Sequence, residues 1–593
     1  MNHSTDKPQK LFGKEYSYDS FFNNEILLSK KKGHLPTMGW NSWNAFGSGN
    51  TAALTKAMTD KIIELELDKL GYRYIVLDDG CYKPERINGK LSNETKKFPG
   101  GFKELSDYIH DKGLKFGMYN DIGTNLCAGA AVGTYAHEET DAQSYIEWGV
   151  DFLKVDNCYY LWDNATFSDE KNAKYVYTPN IRSIRIVGND YEQSFSACQD
   201  GILTGCGCCI KDDYITNIGT FDGTNVGPTP IGPRSGELEF HVNIPAAGEY
   251  HLFVTYASGE EVGIGSWLQL AVGSELIYDD LLPFTKDTIT FVESSSIGVS
   301  FKKGSNIIRI MNHRRQENTL NSYATLLAGL NKANPNHDII FSICEWGKTQ
   351  PQNWGYKVGD SWRILNDITF CVGSDGDSGK GAWSDQGTAS ITSQYNKAVI
   401  MDEFAGLDKG WNDPDMLMIG MNGLDEVMCQ THMAMWCMMN SPLMLGLDLR
   451  RVEYGDKIWR IISNKELISL NQDTLGVQAK RVFTTLETDS SDTDYITNNN
   501  RCDILVKPLA DGSIAISFIN LSESTWDTKL SIKKETILDK LSHKMVNVSN
   551  FAKATSYQII DLWNGESIEN TNGVFSVSCL NAHENKTFRI IPM

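Results

Sequence analysis

Asp156 closes a short apolar run, Asp151-Phe152-Leu153-Lys154-Val155-Asp156, with a lysine two residues before the aspartate. Residues two apart on a strand project to the same face, so this ammonium and this carboxylate are neighbours. Opposite charge within about 4 to 6 Å lowers a carboxyl pKa by roughly 1 to 3 units and favours the ionised form that a nucleophile requires. A buried structural ion pair fits the same spacing equally well. Asp367 lies four residues after Arg363 in Ser361-Trp362-Arg363-Ile364-Leu365-Asn366-Asp367, which taken alone reads more readily as a salt bridge. Adjacent Asp78 and Asp79 are acceptor-only groups suited to sugar hydroxyls, although turn formation and capping are the ordinary uses of such a pair. Trp40 and Trp43 offer flat apolar faces on which the C–H face of a pyranose could pack, and at least one of them is expected in the core. With Asp121, Glu345, Asp413 and Asp415 the chain has more carboxyls than the two that cleavage of a glycosidic bond uses, so spacing alone leaves the roles open.

The elements that would carry these groups form a rhythm. Strand-like runs at Tyr74-Ile75-Val76-Leu77, Leu114 to Tyr119 and Asp151 to Val155 alternate with helical segments near Phe102 to Lys112 and Tyr135 to Trp148. Each strand runs into polar residues, Asp78-Asp79, Asn120-Asp121 and Asp156-Asn157. This predicts an α/β fold, a (β/α)8 TIM barrel, in which strand ends converge on one mouth. The rhythm stops between about Lys174 and Leu320 and resumes at Tyr323-Ala324-Thr325-Leu326 and the strand Ile339 to Ile343. The intervening Gly-, Thr- and Ser-rich stretch alternates like a small β-sandwich of jelly-roll type, and a further run of strands follows Gln472-Asp473. The expected organisation is an extension over 1–34, a barrel over 35–174 and 320–475, an inserted sandwich over 175–319 and a C-terminal antiparallel β domain over 476–593.

A chain of 593 residues with 41% hydrophobic residues is long enough for several cores. Its formal net charge of -20 disfavours nucleic acid, whose phosphates need clustered Lys and Arg, and fits a neutral substrate. No apolar run approaches the roughly 18 residues of a membrane span, and Met1 to Tyr18 lacks the basic-then-apolar pattern of a signal peptide. A soluble protein is expected, with secretion or a periplasmic location left open. Thirteen cysteines leave at least one thiol unpaired within the chain, and the Cys206, Cys208, Cys209 cluster lacks a partner with zinc spacing.

Together these motifs resemble glycoside hydrolase family 27, whose members include α-galactosidases and α-N-acetylgalactosaminidases. Met38-Gly39-Trp40-Asn41-Ser42-Trp43-Asn44 is similar to the family's opening motif, and Leu77-Asp78-Asp79-Gly80 to its sugar-binding aspartate pair. Lys115 to Cys127, Leu153 to Cys158, Ser342-Ile343-Cys344-Glu345-Trp346-Gly347, Ser361 to Asp367 and Trp411-Asn412-Asp413-Pro414-Asp415 resemble later barrel motifs in the same order. The resemblance implies Asp156 as nucleophile and Asp367 as acid/base of a retaining exo-hydrolase. It implies Trp43, Asp78, Asp79, Tyr119, Lys154, Glu345, Arg363 and Asp415 as sugar ligands, and a disulfide between Cys127 and Cys158. It implies a carbohydrate substrate with terminal α-linked galactose and no cofactor for catalysis. By resemblance Glu345 faces the sugar's second carbon, where a carboxylate favours a hydroxyl over an N-acetyl group.

The chain departs from the pattern at Gly80-Cys81 and Phe46-Gly47, where one family disulfide is expected to be missing, and at Ile364-Leu365-Asn366. The insertion, through Pro245 to Ala257 and Lys303 to Ile310, resembles carbohydrate-binding modules of the family 6 and 35 type. Such a module could extend the substrate groove, serve as a spacer, or hold a structural calcium whose ligands the sequence does not name. The remaining alternatives are α-N-acetylgalactosaminidase, β-L-arabinopyranosidase or isomaltose-releasing dextranase activity, or a non-catalytic glycan-binding protein. Oligomeric state stays open.

Overall fold

The computed structural model describes residues 33–159, 178–204, 208–219, 236–259, 266–385, 389–486, 496–542 and 548–593. The expected N-terminal extension, except its last two residues, lies outside them, as does Cys206.

Strict alternation builds the barrel. In the strand Phe152–Asp156, Leu153 and Val155 join the large core under the helices, whereas Phe152 belongs to a separate cluster with Val76, Ile340, Met416 and Met444. The second cluster draws one residue from each of several strands or their ends, as the filling of a closed barrel must. Phe152, Lys154 and Asp156 therefore share the inward face. Eight parallel strands are involved: β1 Met38–Asn41, β2 Tyr74–Val76, β3 Lys115–Asp121, β4 Phe152–Asp156, β5 Ile340–Cys344, β6 Ser361–Arg363, β7 Trp411–Asp413 and β8 Leu443–Leu445. They pair in sequence order from β1 to β7, and β8 lies beside β1. The sheet closes where Leu417, just beyond β7, bridges Leu445 in parallel. The Leu417 amide donates to Met444 O at 2.8 Å and the Gly446 amide to Leu417 O at 3.0 Å.

Helices cover the outside by ordinary amphipathic spacing. Gly101–His110 buries Phe102, Leu105 and Ile109, the three-and-four spacing of one helix face. Glu426–Met438 is apolar nearly all round, burying Met433 through Met438, because it lies between the barrel and the C-terminal domain. Tyr323 to Leu326 fall within a helix, Arg314–Ala333, that runs alongside Glu138–Trp148.

Between β4 and that helix the chain forms two antiparallel sheets over a shared core of Ile184, Ile186, Phe240, Leu252, Val254, Leu270 and Ile308. One sheet contains Glu237–Ile244, Trp267–Val272 and Gly304–Met311, the other Asn180–Gly188 and Gly248–Ala257. Trp267 and Met311 also enter the barrel's core, and His313 Nε2 lies 2.9 Å from Glu237 Oε1, both buried, so the module is seated on the barrel.

The C-terminal domain contains a six-stranded antiparallel sheet. In Cys502–Pro508, Cys502, Ile504 and Val506 face the domain's own core, and Leu505 faces the barrel's. Asp503 is held at that junction by Arg501 at 3.1 Å and the Tyr395 hydroxyl at 3.0 Å, with both charged side chains fully buried. Removing one partner of a buried pair leaves an uncompensated charge and costs about 3–5 kcal/mol. Arg501→Ala is therefore expected to lower the denaturation midpoint markedly; an unchanged midpoint would show the junction carries little of the stability.

Candidate active site

The inward residues of β3 and β4 and the segments beyond β2, β6 and β7 bring the expected charges to one mouth. Lys154 Nζ donates to Asp78 Oδ2 at 2.8 Å and stands 5.3 Å from the centre of the Tyr119 ring. The lysine's ion-pair partner is thus Asp78, two strands away, and Asp156 receives its field. Asn41 Nδ2 donates to the same Asp78 oxygen at 2.8 Å, and Ser42 Oγ accepts from the Asp78 amide at 2.9 Å. Asp79 turns the other way, accepting from the amides of Gly80 at 2.6 Å and Ala128 at 2.7 Å. Backbone bonds therefore relieve the repulsion expected of adjacent carboxylates.

Asp156 is buried, accepting from the Asn157 amide at 2.9 Å and the Tyr119 hydroxyl at 3.2 Å. Burial pushes its carboxyl up, Lys154 pulls it down and Asp367 pushes it up again, leaving it at about 6. Lys154 is drawn down by burial, but Asp78, Cys344, Asp156 and Asp367 more than compensate and hold the ammonium well above its ordinary range. Asp79 is likewise pushed up by burial to about 6.

Arg363 ends β6 and donates to Asp367 Oδ1 and to Asp415 Oδ2, each at 2.9 Å. The salt bridge read from spacing exists, yet the Asp367 side chain keeps 40% of its surface open while Arg363 keeps 3%. Of the two carboxyls on this guanidinium, that of Asp415 is 5% exposed and sealed in the wall, and that of Asp367 reaches water. Asp415 adopts a left-handed backbone, φ 74°, fixed by its amide donating to Asp413 Oδ1 at 2.8 Å and by Ile368 N donating to its Oδ2 at 2.8 Å. A non-glycine residue in that region is strained and is found disproportionately at functional sites.

Cys127 and Cys158 form the expected disulfide, with Cα atoms 5.3 Å apart, and Cys127 Sγ lies 3.1 Å from the Tyr119 hydroxyl. Cys81 is a buried free thiol. Among the described residues the one cluster with metal-like spacing is Asp121, Cys127, Asp156 and Cys158, whose sulfurs are already joined to each other. The two tryptophans separate: Trp40 is fully buried with Nε1 donating to Leu447 O at 2.8 Å, while Trp43 is partly exposed and packs against the barrel's filling.

Glu345 stands in the turn beyond the mouth's fifth strand. It follows β5, has no exposed surface, and its Oε2 accepts from Thr349 N at 2.9 Å and Thr349 Oγ1 at 2.8 Å. Both bonds fall on the same carboxylate oxygen, Oε2. Asn41, Ser42, Tyr82, whose hydroxyl donates to Tyr119 O at 2.9 Å, and Lys348 were not singled out from sequence, since their partners lie far away along the chain.

The chain matches the family described as alpha galactosidase A over residues 35–184 and 304–473, and the alpha galactosidase C-terminal beta sandwich domain over 499–590. It belongs to that family, glycoside hydrolase family 27. The family places it among the glycosidases. It is 26% identical to alpha-galactosidase A of Cellvibrio japonicus, covering 90% of this chain and 86% of that one. It is also 26% identical to the alpha-galactosidase of Cyamopsis tetragonoloba, over 84% and 75%. Its fold is shared with the alpha-galactosidase of Saccharomyces cerevisiae, at TM-score 0.60, 20% identity and coverage of 95% and 100%. A family 27 β-L-arabinopyranosidase of Geobacillus stearothermophilus shares the fold at TM-score 0.55 and 14% identity, over 94% and 96%. The family match ends at 184 and resumes at 304, bracketing the module between β4 and β5.

A carboxyl raised to about 6 costs the fold stability once it ionises: the cost is complete above that value and absent below the unfolded value of about 3.9. Asp156→Asn is expected to raise the melting temperature at pH 8 and to change it little near pH 4. An equal gain at both pH values would contradict the burial of that charge.

Proposed function

We propose that this chain is an exo-acting α-galactosidase that works by double displacement with retention of configuration. The observation that carries this reading is the contrast between two carboxyls of one mouth: Asp156 sealed behind Tyr119, and Asp367 partly open on the Arg363 guanidinium. A buried carboxylate on the floor suits attack on the anomeric carbon. A solvent-accessible carboxyl suits delivery of a proton to the leaving oxygen and its later recovery from water.

In this mechanism Asp367, protonated, gives its proton to the glycosidic oxygen while Asp156 forms the bond to the anomeric carbon. Water then enters, Asp367 takes its proton, and the sugar leaves Asp156 in its original configuration. Asp78, with Lys154 beside it, and Asp415 on the other side of the mouth would bind hydroxyls, and Trp43 would lie under the ring. Asp79, its two oxygens already engaged by amides, would accept further bonds through remaining lone pairs. The galactoside reading also draws on the names of the related alpha-galactosidases. Oligosaccharides or polysaccharide side chains ending in α-linked galactose are the proposed substrates, and the inserted module is proposed to contact the rest of the glycan.

Hydrolysis of p-nitrophenyl α-galactoside should release α-galactose first, read by proton NMR, and should be faster than that of the N-acetyl analogue. Asp156→Ala is expected to lower kcat by at least about 1,000-fold. Asp367→Ala is expected to lose about 100- to 10,000-fold on natural galactosides and less on the nitrophenyl substrate, whose leaving group needs little proton help. β-Galactose as first product would overturn the mechanism, and faster N-acetyl turnover would overturn the sugar.

A further inference from the structure

Two buried charges behind the nucleophile have no place in the reaction just described. Asp121, the last residue of β3, is fully buried and stands beside Asp156 in strand register. A carboxylate oxygen of each lies within 4.8 Å of the other's. Lys348, in the turn after β5, is 2% exposed, and its ammonium lies 4.5 Å from the centre of the Trp346 ring. The turn brings it there because Trp346 and Gly347 are both left-handed, at φ 59° and 75°, and a Cβ on Gly347 would come within 2.2 Å of Ile364 O.

These two groups grip opposite ends of one peptide. The amide of Cys158 donates to Asp121 Oδ2 at 2.7 Å, and the carbonyl of Asn157, in the same peptide unit, accepts from Lys348 Nζ at 2.5 Å. The preceding amide, that of Asn157, donates to Asp156 Oδ1. An anion on the N–H and a cation on the C=O polarise the linkage and fix the backbone that carries the nucleophile.

We propose that Asp121 and Lys348 are a matched pair of positioning residues that lock the peptide after the nucleophile and set, by opposing fields, the pH at which Asp156 ionises. The proposal rests on Asp156 being the nucleophile. Other charged or titratable groups around Asp156 are Lys154 on its own strand, Tyr119 on β3, Asp78 and Asp79 beyond β2, Cys344 on β5, Asp367 beyond β6 and Tyr323 on the covering helix. Most of these border the cleft; Asp121 and Lys348 act from the wall. Burial first, and Asp156 second, push the Asp121 carboxyl up, with Lys348 pulling it down, so the two carboxyls titrate as a coupled pair in which each raises the other.

The test is the acid limb of kcat/KM on p-nitrophenyl α-galactoside. Asp121→Asn removes a like charge and should move the limb down by about one pH unit, whereas Lys348→Met removes a cation and should move it up by about as much. Lys348→Arg keeps the charge and leaves the limb in place, and the double variant returns it towards wild type. A purely structural role would lower kcat at every pH without moving the limb. Unmoved limbs, or limbs moving in the same direction, overturn the proposal; if Lys348→Met does not fold, an unmoved limb in Asp121→Asn overturns it alone. The pH at which Asp156→Asn begins to raise the melting temperature, measured with and without Asp121→Asn, reads the same coupling without turnover. That second readout separates failure of this pair from failure of the galactosidase reading.

Discussion

The ammonium of Lys154 is the constraint on which the site depends. It stands among several carboxylates at the mouth of a barrel, 2.8 Å from Asp78 and within the field of Asp156 and Asp367. Burial of an unbalanced carboxylate is costly, and a cluster of them without a cation would take up protons. Lys154 instead donates to Asp78 and offsets part of the burial penalty at Asp156. A carboxyl at about 6 remains mostly ionised at neutral pH, which attack requires.

That balance is delivered by register. β3 and β4 pair so that Tyr119 lies beside Lys154 and Asp121 beside Asp156, and β5 places Cys344 on the far side of Asp156. A slip of one residue in any of these strands would turn the whole set outward into the helices. The apolar filling beneath, Phe152 with Ile340 and Val76, fixes that register from below, and the Cys127–Cys158 disulfide ties the ends of two neighbouring strands from above.

Much of this was legible in the chain. The period-two placement of Lys154 and Asp156, the strand-end aspartates and the interruption by a β module all follow from patterns a few residues long. Contacts between distant residues were not. Nothing local tells that Lys154 pairs with Asp78 and not with Asp156, that Asn41 shares that oxygen, or that Lys348 returns to Asn157, since these depend on how strands and turns meet. Nor does the motif carrying Glu345 tell that the turn after β5 brings Thr349 to one of its carboxylate oxygens. The seating of the module through His313 and Glu237 was equally invisible, because those residues are 76 positions apart.

The central claim is that Asp156 forms the covalent bond to the sugar. Incubation with a fluorinated α-galactosyl fluoride that slows the second step, followed by proteolysis and mass spectrometry, tests it directly. The account predicts one fluorogalactosyl group per chain, attached to the side chain of Asp156. A label on Asp367 or on Asp78, or rapid turnover of the reagent to the β-configured fluorinated sugar without any covalent adduct, would contradict it.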